Sequence, residues 1–312
     1  MLQLNNVRKR YGKRQVLENL SFQIESGEIY GLLGPNGAGK TTTINLICNL
    51  LKPDSGKITF NNLPIERVTK AWIGVAPQEN LLYKSLTCEE NLDFFARIYG
   101  LDNQKRRHRI KTCLNAVNLL DRAKSPIETL SGGMQRRMNI AVAIVHQPKL
   151  LILDEPTTGL DIESRYEIWD LIEQLREQGM TILLTTHLLD EAQRLCQSIG
   201  ILKQGRIIAE GSLARLRQLI PARELITLDT EDTATAIERG IELGFTPKFY
   251  GKVLNFWVSK PIEFSEIVTA FEGIEIRSLS RQSIQLEHIY IEVMERGTIE
   301  DYDYNAPSIE FR

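Results

Sequence analysis

The octapeptide Gly34-Pro35-Asn36-Gly37-Ala38-Gly39-Lys40-Thr41 constrains this chain more than any other feature. It satisfies GxxxxGK[ST] in full and lies between two periodic segments. Before it, Glu28 to Leu33 reads as an apolar strand; after it, Thr41 to Leu51 carries helical spacing at Ile44, Leu46, Ile47 and Leu50. Small residues let successive backbone N–H groups turn inward and form a concave anion nest. The helix N-terminus adds the positive end of its dipole. Lys40 has the reach for the outer phosphates of a bound nucleotide, the Thr41 hydroxyl suits Mg²⁺, and Thr42 adds a phosphate contact. A chance glycine-rich turn does not explain Lys-Thr at this offset in this context.

A second feature points the same way. Leu150 to Leu153 is a continuous apolar run, as expected of a strand buried on both faces, and it ends in Asp154-Glu155-Pro156. Carboxylates at the C-terminal end of such a strand face the ligand crevice of a parallel sheet. Asp154 suits the metal shell, and Glu155 suits positioning and deprotonating an attacking water. Alone, this would be an ordinary acidic turn.

Strands and helices alternate around these motifs: Val16 to Ile24, LLILDE, a helix over Ser164 to Gln178, TILLTTH, a helix over Leu188 to Cys196, IGILK and RIIAEG. That alternation predicts an α/β fold whose sheet is mainly parallel. Residues 87–125 are charged and helical, and their KRRHRIK run reads as a solvated helix face. From Pro221 the pattern restarts as strand, helix, two strands, helix and strand. This is the order of a ferredoxin-like unit, a small α+β C-terminal domain. The tail after Gly297 is acidic and polar, a composition that predicts disorder.

Composition narrows the function classes. A formal net charge of −2 offers no basic field for nucleic acid. No apolar run approaches the roughly 18–20 residues of a spanning helix, so any membrane role is expected to come through a partner. The N-terminal MLQLNNVRKRYG has no apolar core of a signal peptide. The four cysteines have neither CxxC nor metal-ligand spacing and read as reduced, mostly buried thiols of a cytoplasmic chain.

Leu130-Ser131-Gly132-Gly133-Met134-Gln135 precedes an apolar helix. It offers backbone donors at a helix N-terminus but no lysine and no metal carboxylate, as a second phosphate grip without its own Mg²⁺ would. Here the chain resembles the ATP-binding subunits of ABC transporters. LSGGM is similar to their signature motif, with Met134 in place of the usual glutamine and the contacting Ser131, Gly132 and Gly133 intact. Gln78 matches the Q-loop glutamine, Gly159-Leu160-Asp161 the D-loop, His187 the switch histidine, and Tyr11 the aromatic that stacks on adenine. Gln78, His187 and Tyr11 would each have a bland explanation in isolation. The motifs cover roughly residues 1–216 in the family's order. LSGGM, EPTTGLD and the C-terminal SIQLEHIYIEVM resemble the daunorubicin-type (ABC-2) exporter branch.

The resemblance implies an ABC cassette of the P-loop NTPase fold over residues 1–216. It has an antiparallel N-terminal β subdomain and a helical insertion at about 79–130, with the small domain following at 222–296 and the tail at 297–312. It implies ATP and Mg²⁺ as ligands, Mg²⁺ falling to Thr41, Gln78 and Asp154, and catalysis to Glu155, His187 and Gln78. It implies a second ATP-binding subunit, identical or not, whose Ser131 to Gly133 close over the first subunit's ATP. It also implies a separate transmembrane permease at the cytoplasmic face of the membrane. Residues Glu79 to Tyr83 are candidates for touching that permease, although Leu81, Leu82 and Tyr83 suit a core equally well. Export is the expected role. The alternatives are a non-transport ABC ATPase of translation or DNA repair, which would bring a second cassette, coiled coils or zinc inserts, and an importer ATPase, which would bring a longer, strand-rich C-terminal domain.

Overall fold

The computed structural model describes residues 2–68 and 70–296. The acidic tail lies outside the described residues. The described chain divides into two compact units, the first running to Ser212 and the second spanning Leu213–Arg296.

The first unit opens with β1 (Leu2–Tyr11) and β2 (Arg14–Ile24), an antiparallel hairpin, followed by β3 (Ile29–Leu33) and α1 (Lys40–Ile47). Next come β4 (Ser55–Phe60), the two-residue β5 (Leu63–Pro64) and β6 (Ile73–Ala76). The helical insertion holds α2 (Cys88–Ile98) and α3 (Asn103–Ala116), and α4 (Gly132–Ile144) follows it. The chain then alternates: β7 (Leu150–Asp154), α5 (Ile162–Glu177), β8 (Thr181–Thr186), α6 (Leu189–Leu195), β9 (Ser198–Lys203) and β10 (Arg206–Gly211).

Two sheets result. One is antiparallel, in the order β2-β1-β4-β5; the other has the order β10-β9-β3-β8-β7-β6 and is parallel except for the β10–β9 hairpin. Every residue of β3, β7 and β8 is buried, as their unbroken apolar runs require of strands covered on both faces. Each fully buried leucine or isoleucine there contributes about 1.5–3 kcal/mol of transfer free energy. Strand order positions the site. Because β8 lies between β3 and β7, and β6 lies beyond β7, the segments leaving four adjacent parallel strands emerge at one edge of the sheet.

Two details depart from expectation. Helix α1 stops at Ile47 rather than Leu51, because Asn49 turns into the left-handed region (φ 53°) and leaves Leu50 65% exposed. The KRRHRIK run on α3 is not simply solvated: Arg106 pairs with Asp93 of α2, and Arg109 donates to the Ile144 and Val145 carbonyls at the end of α4. These are terminal carbonyls of α4, of which Ile144 O also accepts from Gln147 N–H (3.1 Å), and the guanidinium adds donors and complements the dipole.

The second unit contains α7 (Leu213–Arg217), β11 (Glu224–Thr230), α8 (Thr233–Glu242), β12 (Thr246–Tyr250), β13 (Val253–Val258), α9 (Phe264–Ala270), β14 (Ile276–Ser283) and α10 (Leu286–Arg296). Its four strands form an antiparallel sheet in the order β12-β13-β11-β14. Ile226, Leu228, Leu254 and Phe256 of the sheet pack with Ala236 of α8 and Ile267 of α9. Elsewhere in the unit, Lys248 and Tyr250 reach the buried Glu292 of α10.

Candidate functional site

The loop between β3 and α1 starts at the sheet edge, where Gly34 N–H donates to Thr186 O (3.2 Å) at the end of β8. Gly37 and Gly39 adopt φ of 80° and 118°. Only glycine accepts these angles cheaply, and a Cβ on Gly39 would lie 2.6 Å from Leu17 Cδ2. Gly39 is therefore required by both backbone conformation and space, Gly37 by conformation alone, and Gly34, where a Cβ would lie 2.5 Å from Leu202 O, by space. The loop wraps the Lys40 side chain, which is only 6% exposed and donates from Nζ to Gly34 O (2.7 Å) and Pro35 O (3.4 Å).

Asp154 ends β7, and Glu155 follows it with φ 49°. That left-handed turn, unusual for glutamate, is held by Glu155 N–H donating to Thr185 O (3.0 Å). Asp154 is oriented by the Thr185 hydroxyl, which donates to its Oδ1 at 2.5 Å. The Glu155 carboxylate gathers four side chains. Lys40 Nζ lies 3.2 Å from Oε1, while His187 Nδ1 (3.2 Å), Gln78 Nε2 (3.3 Å) and the Thr158 hydroxyl (3.3 Å) converge on Oε2. Burial pushes the Glu155 carboxyl up, but Lys40 and His187 pull it down further, so its pKa falls below the ordinary carboxylate value. Residues distant in sequence thus meet because β3, β8, β7 and β6 are neighbours.

Beside this cluster lies a cleft of about 390 Å³. Asn36, Gly37, Gly39, Lys40, Thr41 and Thr42 line it along the loop, Gln78 and Glu155 stand at its acidic side, and Tyr11, Arg14 and Val16 form the remaining wall. Tyr11, the last residue of β1, is 48% exposed and lines the cleft. Among the residues expected at the site, Gly34, Pro35 and Ala38 shape the loop without lining the cleft, and Asp154 and His187 do not line it either.

The signature residues occupy a different place. Ser131 is the N-cap of α4, its hydroxyl accepting from Met134 N–H (3.2 Å), and Gly132 and Gly133 form the first helical turn. Met134 packs half-buried against the core, so the replaced glutamine position faces inward. A Cβ on Gly133 would come within 2.4 Å of the Ser164 hydroxyl. Asp161 caps α5 by accepting from Ser164 N–H (2.9 Å) and from its hydroxyl (2.9 Å). Ser131, Gly132, Gly133 and Asp161 do not line this chain's own cleft.

Arg136, on α4 just past the signature, is a residue that motif reasoning missed. It is 5% exposed, and its guanidinium donates to five main-chain carbonyls: Pro77 (2.5 Å), Gln78 (3.0 Å), Asp154 (2.8 Å), Glu155 (2.7 Å) and Pro156 (2.7 Å). Burial lowers its pKa, opposed by the nearby Asp154, Glu191 and Glu155 carboxyls. Only the planar five-donor fork of arginine can bind two chain segments in this way. The available signal was an arginine following Ser-Gly-Gly at helical spacing, on a helix otherwise buried almost all round.

Comparison with known proteins agrees with this geometry. Residues 17–158 match the ABC transporter family. The chain is 46% identical over 231 residues to the linearmycin resistance ATP-binding protein LnrL of Bacillus subtilis, covering 73% of this chain and 74% of that protein. The chain belongs to the ATP-binding proteins of ABC transporters. A Nod factor export ATP-binding protein I of Cupriavidus metallidurans is 36% identical over 300 residues, 95% of this chain and 98% of that one. Among solved structures, an ATP-binding subunit of an ABC transporter superposes with a TM-score of 0.63 at 33% identity, covering 70% of this chain and 92% of that chain. A dimeric ATP-binding cassette in a post-hydrolysis state with ADP and phosphate gives 0.61 at 30% identity, covering 68% and 98%. The chain is thus an ABC ATPase, and its α/β cassette is the P-loop fold expected of one. Among the described residues no helix is long and apolar enough to cross a membrane.

Proposed function

We propose that this ABC ATPase powers export through a separate membrane-spanning permease, by closing head to tail with a second ATP-binding subunit. The observation that carries the catalytic part is the convergence of Lys40, Gln78 and His187 on Glu155 beside the phosphate loop. Glu155 pairs with Lys40 at 3.2 Å. An arriving triphosphate offers Lys40 more charge than one carboxylate, so the ammonium turns to the β- and γ-phosphates and Glu155 is released toward the attacking water. Losing Lys40 also removes the main charge that depresses the Glu155 pKa, which makes it a better base.

Mg²⁺ fits the donors present: the Thr41 hydroxyl, the Gln78 amide and the Asp154 carboxylate are hard oxygen ligands, and Asp154 is already oriented by Thr185. When bound, the ion would neutralise charge on the phosphates. Glu155 takes the water's proton, His187 donates to the γ-phosphate and Tyr11 stacks on the base. A partner's Ser131, Gly132 and Gly133 supply donors over the phosphate, with Asp161 at the same interface. This explains why those residues stand away from the chain's own cleft. Positioning and charge stabilisation then do most of the work of phosphoryl transfer.

Export is supported by the names of two relatives, one of linearmycin resistance and one of Nod factor export. For the permease contact, Leu81 (64% exposed) and Tyr83 (48%) present apolar surface, and Tyr83 packs edge-on to Phe94 of α2 at 4.7 Å, while Leu82 joins the core. Leu81 and Tyr83, rather than Leu82, are the residues to substitute. The second unit's strand order supports a ferredoxin-like accessory domain. Our reading is that it self-associates and keeps two cassettes at high effective concentration. Since α7 belongs to that unit, a truncation should cut after Ser212.

The deciding experiment is Glu155→Gln with the permease and without it. It should bind ATP, hydrolyse it roughly 10²- to 10⁴-fold more slowly and accumulate as an ATP-bound dimer in size-exclusion chromatography. Parental turnover would remove Glu155 from the role of base. ATP-driven accumulation inside inverted vesicles carrying both subunits distinguishes export from import.

A further inference from the structure

Glu191 lies on α6, four residues past His187, and is completely buried. It takes no part in the phosphoryl transfer assigned to Glu155, His187 and Gln78. A buried carboxyl is costly unless its partners are well placed, and burial pushes the Glu191 pKa up. Its partners come from two other segments of the site. The Thr157 hydroxyl donates to Oε1 at 2.7 Å, and the Trp169 indole N–H donates to the same oxygen at 3.2 Å. The other carboxyl oxygen, Oε2, is buried and has no hydrogen-bond partner among the described residues. Thr157 stands two residues beyond Glu155, Trp169 belongs to α5, the helix that Asp161 caps, and Glu191 itself sits on the helix that directly follows His187. Thr157 is fully buried and Trp169 is 4% exposed, so water offers neither donor a substitute. A leucine would fill the space without the desolvation penalty. What it could not do is tie the three segments together.

We propose that Glu191 is a positioning residue that holds the turn after Glu155, the helix begun at Asp161 and the His187 segment in one fixed register. It rests on the catalytic roles proposed for Glu155 and His187. Its effect should fall on turnover rather than on nucleotide affinity, because the phosphate loop binds ATP without touching it. A neutral amide preserves the acceptor, so charge is not what the position requires.

The test compares Glu191→Gln, Glu191→Leu and Thr157→Val, reading kcat, KM and the Kd of a fluorescent ATP analogue. Glu191→Leu should lower kcat roughly 10- to 100-fold with Kd changed less than about threefold, and Glu191→Gln should recover kcat to within about threefold of the parent. Thr157→Val, which removes one donor and leaves the carboxyl, should lower kcat by about three- to tenfold. In a His187→Ala background the further loss from Glu191→Leu should be clearly smaller than in the parent, because part of its effect runs through His187. Parallel losses of kcat and affinity, failure of Gln to recover turnover, or a full Leu effect in the His187→Ala background would overturn the proposal. Where Glu191→Leu does not fold, Gln and Thr157→Val decide it. A parental kcat in His187→Ala alone would instead remove His187 from catalysis, and the proposal with it.

Discussion

Replacing Arg136 by alanine should destabilise the nucleotide-binding unit and slow turnover together. The guanidinium holds carbonyls of Pro77 and Gln78 on one side and of Asp154, Glu155 and Pro156 on the other. A buried carbonyl left without a donor costs about 1–3 kcal/mol. The cost is not five such losses, because Pro77 O keeps the Asn139 amide (3.1 Å) and Glu155 O keeps Thr158 N–H (3.4 Å), and because removing the guanidinium also removes its own burial penalty, the penalty that lowers its pKa. Breaking a buried charged cluster on one side typically costs about 3–5 kcal/mol. For a unit of this size each kcal/mol shifts Tm by about 2–4 °C, so a fall of about 10 °C is expected in calorimetry of nucleotide-free protein. Arg136→Lys keeps the charge but brings three donors on one atom, which cannot span both segments, so roughly half of that loss should remain. Turnover measured well below the new Tm should still fall more than about tenfold, since the Gln78 and Glu155 carbonyls set where those side chains point. A Tm within about 2 °C of the parent, with kcat within about threefold, would refute the reasoning.

Three more outcomes are expected from the same geometry. Tyr11→Ala should weaken ATP binding by about 1–3 kcal/mol, roughly 5- to 150-fold in Kd, with Tyr11→Phe near the parent; an unchanged Kd by fluorescence titration would remove the stacking role. The depressed Glu155 pKa means its stabilisation is complete above the unfolded carboxylate pKa of about 4.3 and is lost as pH falls through the lower folded value. Urea midpoints of Glu155→Gln should therefore lie below the parent at pH 7 and converge with it under acid, and parallel curves would contradict this. Burial pushes the Cys48 thiol up to about 12 and the Cys113 thiol up to about 11, and raises Cys88 and Cys196 as well. Since the thiolate is the reactive form, alkylation at neutral pH should be far slower in native than in urea-unfolded protein. Rapid native labelling of Cys88 or Cys113 would contradict the packing.

Contiguous motifs were legible in the chain itself. Gly37 and Gly39 carry angles that glycine alone accepts, Lys40 and Thr41 follow at fixed offsets, and LLILDE states both its burial and its acidic end. These are local properties, in which a few neighbouring residues decide the backbone, so sequence determined them. The order of the second unit's elements was readable for the same reason. Apolar spacing alone extended α1 to Leu51, but the left-handed turn at Asn49 ended it earlier, because a surface turn leaves little mark on periodicity. Tertiary structure decided what those elements meet. The placement of β8 between β3 and β7 brings His187 and Glu155 to Lys40, and nothing within any single segment encodes that neighbour relation. No motif reading singles out Arg136 or Glu191. Their importance appears only when five carbonyls, or a threonine and a tryptophan from other segments, close around them. Buried polar groups are stabilised by partners far away in the chain, and only folding brings those partners within hydrogen-bonding distance.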